Sequence, residues 1–491
     1  MAESRTAKVI ILSSGQALTA FVGLLSTAIL TRILTKDDFG SYRQAMLAFT
    51  FAAPIVTLGL DRALYAFLPG ETERPRGLLV ENLILLTIAG GALSLFIIFG
   101  GNYLLAQRFN NPKLAELISL LVLYPIFMLP SYAMPACLMS RNKTGQLAIF
   151  NVFSRIVMFL MIIVPCFFLP RPSTAIRGQV TGAILTTILA VYLMFRACPG
   201  RAWQPKWSGF KKQLFFSVPL GLSTIVGIAT LSLDQMMVSM RCTPDILAVY
   251  SVGAMEIPLI GVITGSITSV VIVDYTCFYR KGDLRSIVQL IHKAMLKSAI
   301  LILPVMTFLF CIAPELMRIL FGKAYEWSSL PFRIYLLLLP IRTLGFGAVL
   351  QATENSHHIL INSLLGLTAN AILGWTFIGI WGPSGAAIGA VFGTWAIGLP
   401  YAVIVLTKIL KIKAIDLLPL GEIVKILIIS VVPATIVFIL KGFITISDVY
   451  WIPISLFIYI PTISIGFLLL NVININELND MFRLITQRTI Y

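Results

Sequence analysis

Charged side chains are scarce in this sequence. Only 12% of its 491 residues are Asp, Glu, Lys or Arg, and 58% are hydrophobic. A soluble protein would carry about 25% charged residues. No polar stretch is long enough to form a separate soluble domain. The composition therefore predicts an integral membrane protein.

Motifs for catalysis, metal binding and nucleotide binding are also missing. The six cysteines stand singly, without the paired spacing that a metal site needs. There is no Walker A motif for ATP and no long loop of the kind that a polysaccharide polymerase carries. The net charge of +16 comes from basic residues in loops between apolar segments, which membrane topology explains better than nucleic-acid binding. We expect no enzyme activity, no metal, no cofactor and no nucleic-acid partner.

Fourteen apolar segments are long enough to cross a bilayer, which takes about 20 residues each. Backbone groups in lipid must be satisfied within the segment, so each span is expected to be a helix. The predicted fold class is an all-α integral membrane protein. The predicted spans are 9–31, 42–68, 78–105, 114–139, 147–169, 177–196, 214–239, 247–273, 294–318, 330–353, 359–380, 384–407, 421–440 and 450–471.

The distribution of Lys and Arg predicts the orientation. The loops that follow even-numbered spans, together with both termini, hold most of these residues, with the strongest runs at 198–213 and 278–286. Basic loops stay on the cytoplasmic side, so both termini are predicted to be cytoplasmic. Residues 284–297 are amphipathic and allow two interpretations, a helix lying on the membrane surface or an extension of the next span.

Two pairs of matching segments indicate an internal repeat. Residues 121–129 match 336–344. At a constant spacing of 208 residues, Thr35, Asp37 and Tyr42 match Thr243, Asp245 and Tyr250. A repeat of six spans preserves orientation, so it predicts two six-helix lobes related by a pseudo-two-fold axis along the membrane normal. The predicted domains are an N-terminal lobe at 1–200, a C-terminal lobe at 201–413, and two additional spans with a tail at 414–491.

Basic residues inside spans are the first candidates for binding an anionic substrate. A charge at the bilayer centre costs roughly 2.5–3.5 kcal/mol, so such residues usually face a bundle interior or a cavity. Arg62, Arg155 and Arg342 are candidate substrate-binding residues, because guanidinium groups match phosphate oxygens. Asn151 lies one helical turn before Arg155 and is a fourth. The alternatives are local ion pairs and snorkelling to the interface, and Arg43 is expected to be an interfacial anchor.

Three acidic residues within spans are candidates for coupling transport to an ion gradient. They are Asp61, Asp234 and Glu256. A buried carboxylate has a raised pKa and can exchange a proton, or it can bind a cation. The alternative is a structural hydrogen bond or ion pair.

Five motifs follow one another along the chain. They are TRILTKDDFGSY (31–42), GLDRALYAFLP (59–69), LDQMMVSMRCTPDILAVYSVGAMEIP (233–258), RILFGKAYEWSSLPFRI (318–334) and GPSGAAIGAVFGTW (382–395). Taken in this order, they resemble the motifs of the polysaccharide transporter family, the O-antigen and lipid-linked oligosaccharide flippases, which belongs to the multidrug/oligosaccharidyl-lipid/polysaccharide superfamily. Ala248 stands where that family usually has Gly before the tyrosine.

The resemblance implies a fold and a function. The fold would be two six-helix lobes in a V shape with two extra helices, in the bacterial cytoplasmic membrane. The function would be to move an undecaprenyl-pyrophosphate-linked oligosaccharide to the outer leaflet by alternating access, driven by a proton or sodium gradient. Asp234 matches a recurrent acid of the family, and a polysaccharide polymerase and chain-length machinery are implied partners.

Two other functions of the same superfamily compete with this one. A multidrug or cation antiporter would favour acidic residues over arginines in its cavity and usually lacks the two extra spans. A flippase for a peptidoglycan lipid precursor would share the fourteen spans and the cationic cavity.

Overall fold

The computed structural model describes residues 5–200, 202–255, 257–444 and 446–470, with side chains from residue 14 onward except for several between 258 and 270. Within these ranges every regular element is a helix. The first twelve α-helices are α1 (Arg5–Ile33), α2 (Lys36–Thr57), α3 (Leu60–Phe67), α4 (Pro75–Phe96), α5 (Asn102–Arg108), α6 (Lys113–Leu120), α7 (Leu123–Ser131), α8 (Met134–Ser140), α9 (Thr144–Phe168), α10 (Pro172–Ala197), α11 (Trp207–Arg241) and α12 (Pro244–Gly253).

Eleven further α-helices follow in the described part of the chain. A 3₁₀ helix covers Lys323–Ser328, a π-helical turn covers Thr394–Gly398, and Ile97–Gly101 is a kink with non-helical backbone angles at Phe99 and Gly100. The helices are α13 (Pro258–Arg280), α14 (Leu284–Phe321), α15 (Ser329–Leu336), α16 (Leu339–Arg342), α17 (Phe346–Ala352), α18 (His357–Trp381), α19 (Ser384–Gly393), α20 (Leu399–Leu410), α21 (Ala414–Leu417), α22 (Leu420–Phe443) and α23 (Asp448–Leu469).

The predicted class, an all-α multi-pass membrane protein, is confirmed, but the count of fourteen spans is not. Among the described residues, 10 helices are long and apolar enough to cross a membrane, or up to 13 if each of three bent pairs is one span. The remaining predicted span, 247–273, falls on α12 and α13. These helices lie on either side of Glu256, which is outside the described residues.

The predicted second span is broken in its middle. Leu58 and Gly59 both have left-handed backbone angles, with φ of 44° and 77°, and α2 and α3 meet at a bend of 45°. Two successive left-handed residues end an α-helix, and glycine adopts that conformation without steric cost. The break is covered by α11, because a Cβ on Gly221 would collide with the carbonyl of Leu58. Asp61 therefore lies in the first turn of a new helix.

The chain forms two compact units. Unit 1 contains residues 1–262 and 360–393, and unit 2 contains residues 263–359 and 394–491. The core of unit 1 includes Leu64, Leu79 and Met134. The predicted lobes at 1–200 and 201–413, with the tail at 414–491, remain predictions.

The two copies of the repeated motif have the same local structure. Thr35 and Thr243 are extended N-cap residues of α2 and α12, and each helix carries an aspartate in its first turn, where the helix dipole favours a negative charge. The helices also pack against each other, because a Cβ on Gly40 would collide with the carbonyl oxygen of Pro244. A residue as small as glycine is therefore required at this crossing.

Residues 284–297 extend a span and do not lie on the membrane surface. They form the first turns of the 38-residue helix α14, and Ile287, Ile291 and Met295 are buried in the core of unit 2. At 1.5 Å per residue, such a helix is roughly 57 Å long, well beyond the hydrocarbon core. Asp283 caps it, and hydrogen bonds from the Ser286 hydroxyl and backbone N–H lower the pKa of the Asp283 carboxyl.

An ion-pair network in unit 2 attaches α22 and α23 to α14. Arg318 on α14 contacts Asp448 at 2.7 Å, Glu326 at 2.7 Å and Glu315 at 3.2 Å. Glu315, whose side chain is 0% exposed, also contacts Lys441 on α22. The helices that carry the two additional predicted spans are therefore held to α14 by charged groups.

Candidate functional site

A polar chamber of about 840 Å³ lies within unit 1. Its walls come from α1, α2, α3, α7, α8, α9 and α10, with Tyr132 from the turn before α8. Among the described residues, its charged lining consists of two arginines and one aspartate, and the rest of its polar lining is mostly hydroxyl and amide groups. These polar residues include Gln16, Tyr42, Arg43, Asp61, Tyr124, Tyr132, Asn151, Ser154, Arg155 and Gln179.

Arg155 on α9 has its side chain exposed in this chamber. It forms no hydrogen bond or ion pair with any other residue in the described ranges, so its guanidinium keeps its donors for a ligand. Gly23 on α1 faces this guanidinium, and a side chain there would overlap it. The absence of a side chain at position 23 therefore leaves room for the Arg155 guanidinium.

Asn151 lies on the same chamber wall as Arg155. The two residues are four positions apart on α9, and residues at that spacing are neighbours on one helix face. Ser154, between them, also lines the chamber. The wall thus offers a cation, an amide and a hydroxyl within one helical turn.

A chain of hydrogen bonds crosses the chamber wall through three polar residues that the sequence analysis did not select. The Gln179 amide nitrogen donates to the Tyr124 hydroxyl at 2.9 Å, and the Tyr42 hydroxyl donates to the Gln179 amide oxygen at 3.4 Å. Tyr124 also packs edge-on against Phe49. In the sequence these residues are marked only by an uncharged polar side chain within an apolar span, and of such residues Asn151 alone is a predicted site residue.

The second arginine of the chamber is held by a neighbouring side chain. Arg43 donates to the side-chain oxygen of Gln235 on α11 at 3.1 Å. The sequence alone assigned Arg43 to the membrane interface, whereas the structure places it in the chamber lining. Of the two chamber arginines, Arg155 is the one whose guanidinium has no hydrogen-bond partner in the described part of the chain.

Asp61 and Arg62 are separated by their positions on α3. Asp61 lines the chamber, and Arg62 is absent from the chamber residues that the structure describes. The two side chains lie 3.9 Å apart and are 26% and 51% exposed. Such an exposed pair contributes little to stability. The role of Arg62 in binding substrate remains a prediction.

Asp234 is buried on α11, where it is 3% exposed and accepts a 2.8 Å hydrogen bond from the Tyr250 hydroxyl. Next to it, α18 packs on α11, because Met237 lies against Gly374 and Arg241 donates to the Trp375 carbonyl at 2.9 Å. These contacts show that the two helices run parallel.

A second buried polar group lies beside this packing, because the Asn370 amide oxygen is close to Gly374, where Met237 packs. Asp234 lies one turn before Met237, and Asn370 lies one turn before Gly374. The Asn370 amide oxygen is buried without a hydrogen-bond partner in the described chain. A buried amide oxygen of this kind is able to coordinate a small cation.

The other predicted site residues lie elsewhere or were not described. Arg342 is half-buried at the end of α16 in unit 2, and its predicted role in binding remains a prediction. Glu256 lies outside the described residues. In the described part of the chain, no group of three or more His, Cys, Asp or Glu residues could hold a metal ion.

Comparisons with known proteins identify the family. Residues 29–330, more than half of the chain, match the profile of a family described as polysaccharide biosynthesis protein. A Shigella flexneri protein described as an O-antigen transporter is 23% identical over 323 residues, which cover 64% of this chain and 76% of that protein. The resemblance found in the sequence motifs is confirmed.

Solved structures show the same fold. The lipid II flippase MurJ in an inward closed conformation matches with a TM-score of 0.77 at 16% identity, covering 93% of this chain and 98% of that one. An inward-facing multidrug resistance MATE family transporter matches with a TM-score of 0.68 at 14% identity, covering 81% and 96% of the two chains. A superfamily transporter from Pyrococcus furiosus gives 0.58 at 15% identity, covering 83% and 97%.

The family and the fold are those of membrane transporters and not of enzymes. The chain belongs to the polysaccharide biosynthesis protein family and has the fold of the superfamily that contains the lipid II flippase and the multidrug transporters.

Proposed function

We propose that this protein is a flippase that moves an undecaprenyl-pyrophosphate-linked oligosaccharide across the bacterial cytoplasmic membrane by alternating access. The observation that carries this proposal is the chamber of unit 1, in which Arg155 has no partner in the described chain and faces a wall of hydroxyl and amide groups. Family membership agrees with a polysaccharide substrate. The prenyl chain stays in lipid while the polar head group enters the protein.

The chemistry of the chamber suits a sugar that carries an anionic group. Tyrosine hydroxyls and amides such as Gln179 and Asn151 both donate and accept hydrogen bonds, as sugar hydroxyls require. Arg155 supplies a planar set of donors that matches a carboxylate or a phosphate oxygen pair. Among the described lining residues the arginines outnumber the acids by one, so the chamber favours an anion.

The same charge balance weighs against a multidrug transporter. In the described lining, a cationic drug would meet the guanidinium groups of Arg43 and Arg155, with the carboxylate of Asp61 as the one acid to stabilise it. The likeness to the lipid II flippase MurJ, at 16% identity, is a likeness of fold. It does not by itself favour a peptidoglycan precursor as the substrate. The family profile instead favours a substrate of polysaccharide synthesis.

The proposal is tested by replacing Arg155 in cells that depend on this protein for surface polysaccharide. We expect Arg155→Ala to abolish export and Arg155→Lys to restore part of it, since a hydrogen bond to a charged group contributes about 1.5–3 kcal/mol. Arg177→Ala is the matched control, because Arg177 is exposed on α10 and is absent from the chamber lining. Normal surface polysaccharide in Arg155→Ala cells with normal amounts of protein would reject the proposal.

We further propose that Asp234 couples transport to a cation gradient, with the Asn370 amide oxygen as a second ligand for the ion. Their burial and the packing of α11 on α18 support this assignment. In liposomes, Asp234→Asn is expected to remove the acceleration caused by an imposed sodium or proton gradient. Tyr250→Phe keeps the Asp234 carboxylate and is expected to retain the acceleration by the gradient. Equal acceleration of Asp234→Asn and wild type would assign coupling to Asp61 or Glu256 instead.

A further inference from the structure

The segment between α10 and α11 is fastened to α4 through its backbone. Arg76 donates to the Gly200 carbonyl at 3.1 Å, and Arg74 donates to the Gln204 carbonyl at 2.6 Å. The Lys206 backbone N–H donates to the buried carboxylate of Glu81 at 2.8 Å. Because the backbone carries these contacts, the large side chains of the segment are left on the outside.

Two tryptophans and three lysines form an outward-facing surface at this place. Trp203 is 61% exposed and Trp207 is 72% exposed. The Lys211 ammonium lies 5.9 Å from the ring centre of Trp207, and the Lys212 ammonium lies 4.8 Å from the ring centre of Phe67. We call Trp203, Lys206, Trp207, Lys211 and Lys212 the Trp–Lys surface. None of its lysines forms an ion pair within the described chain.

The exposed apolar side chains of the helix that follows place this surface next to the expected lipid-facing part of α11. Phe215 and Leu222 are 78% and 58% exposed on α11, and they continue the helix face that begins at Lys211. Exposed apolar side chains on a spanning helix face lipid tails. Lys211 precedes Phe215 by four residues, or about 6 Å along the axis, so its ammonium reaches the head-group layer.

We infer that the Trp–Lys surface binds the phosphate head groups of anionic phospholipids. Indole rings favour the interface between lipid tails and water. A lysine close to an anionic membrane surface strengthens binding by about fivefold. The surface faces outward and its residues are absent from the described chamber lining, so a bulk phospholipid fits it better than the transported head group. The inference does not depend on the proposed substrate.

Tryptophan quenching by brominated lipids tests this inference on the full-length protein in nanodiscs. The difference between the spectra of wild type and Trp207→Phe isolates the emission of Trp207. We expect brominated phosphatidylglycerol to quench that emission at a several-fold lower mole fraction than brominated phosphatidylcholine. Lys211→Gln should remove only part of this preference, and the triple change of Lys206, Lys211 and Lys212 to Gln should remove it.

Lys113→Gln is the matched control, because Lys113 is already paired with Asp37 at 2.7 Å. It should leave the preference of Trp207 for phosphatidylglycerol unchanged. Equal quenching by the two lipids would overturn the inference, and so would a triple variant that behaves as wild type. Absence of quenching by either lipid would show that Trp207 does not touch the bilayer.

Discussion

At the scale of single residues, the contribution of a charge within a span depends on what faces it. Arg155 and Arg62 are both arginines in apolar segments, and sequence reasoning treated them alike. The structure gives Arg155 a chamber and a glycine opposite, whereas Arg62 pairs loosely with its neighbour Asp61. The difference comes from residues on other helices, which no local pattern reveals.

The glycine opposite Arg155 provides a test at this scale. Gly23→Ala is expected to displace the guanidinium and to weaken binding of the substrate head group by about tenfold, the loss of one hydrogen bond to a charged group. The change should not unfold α1, because alanine favours helices over glycine. Binding to the purified protein and its melting temperature in detergent would be measured together.

Gly91→Ala on α4 is the control for this experiment, because an added Cβ there meets nothing within 4 Å. Both variants should melt near the wild-type temperature, and only Gly23→Ala should lose affinity. Unchanged affinity in Gly23→Ala would mean that the position of Arg155 does not set head-group binding.

At the scale of elements, the sequence located helices well and their interruptions poorly. The segment 42–68 has the length and composition of one span, yet it is divided at Leu58 and Gly59. An isolated glycine in an apolar span is common and gives no warning. The break at Leu58 and Gly59 is in close contact with Gly221, which lies far away in the sequence.

The contact between the break and α11 can be tested with a pair of glycines on one helix. Gly221→Ala should push α11 away from Leu58, because the added Cβ meets backbone that cannot rotate aside. We expect a loss of stability of about 1–3 kcal/mol, the usual cost of overpacking. Gly227→Ala on the same helix, where an added Cβ meets nothing within 4 Å, should be neutral or slightly stabilising. Equal melting temperatures for the two variants would contradict the packing.

At the scale of the whole molecule, the two additional predicted spans are fixed by charges that the sequence did not connect. Arg318 and Glu315 lie one turn apart on α14, and their partners Lys441 and Asp448 come more than 120 residues later. Only folding brings these groups together. The attachment of α22 and α23 to α14 therefore depends on a network with a buried carboxylate at its centre.

Removing the buried member of this network should destabilise the protein. Glu315→Ala takes the salt-bridge partner of Lys441 and one of the partners of Arg318, and because Lys441 is 38% exposed and Arg318 keeps Asp448, we expect a cost of about 1–3 kcal/mol. Glu326→Ala removes an acid that is 50% exposed, which should cost less than about 1 kcal/mol. Thermal unfolding in detergent would compare them, and similar melting temperatures would show that the network is not stabilising.

The sequence by itself determined that this protein is a helical membrane transporter of the polysaccharide type. Length and apolarity of segments decide insertion, backbone hydrogen bonding in lipid dictates helices, and the motifs around Thr35 and Thr243 mark the starts of helices. Only the tertiary structure decided which polar groups meet. The chamber around Arg155, the break at Gly59 and the network around Glu315 each depend on the faces that distant helices present to one another, and segment composition carries no information about that choice.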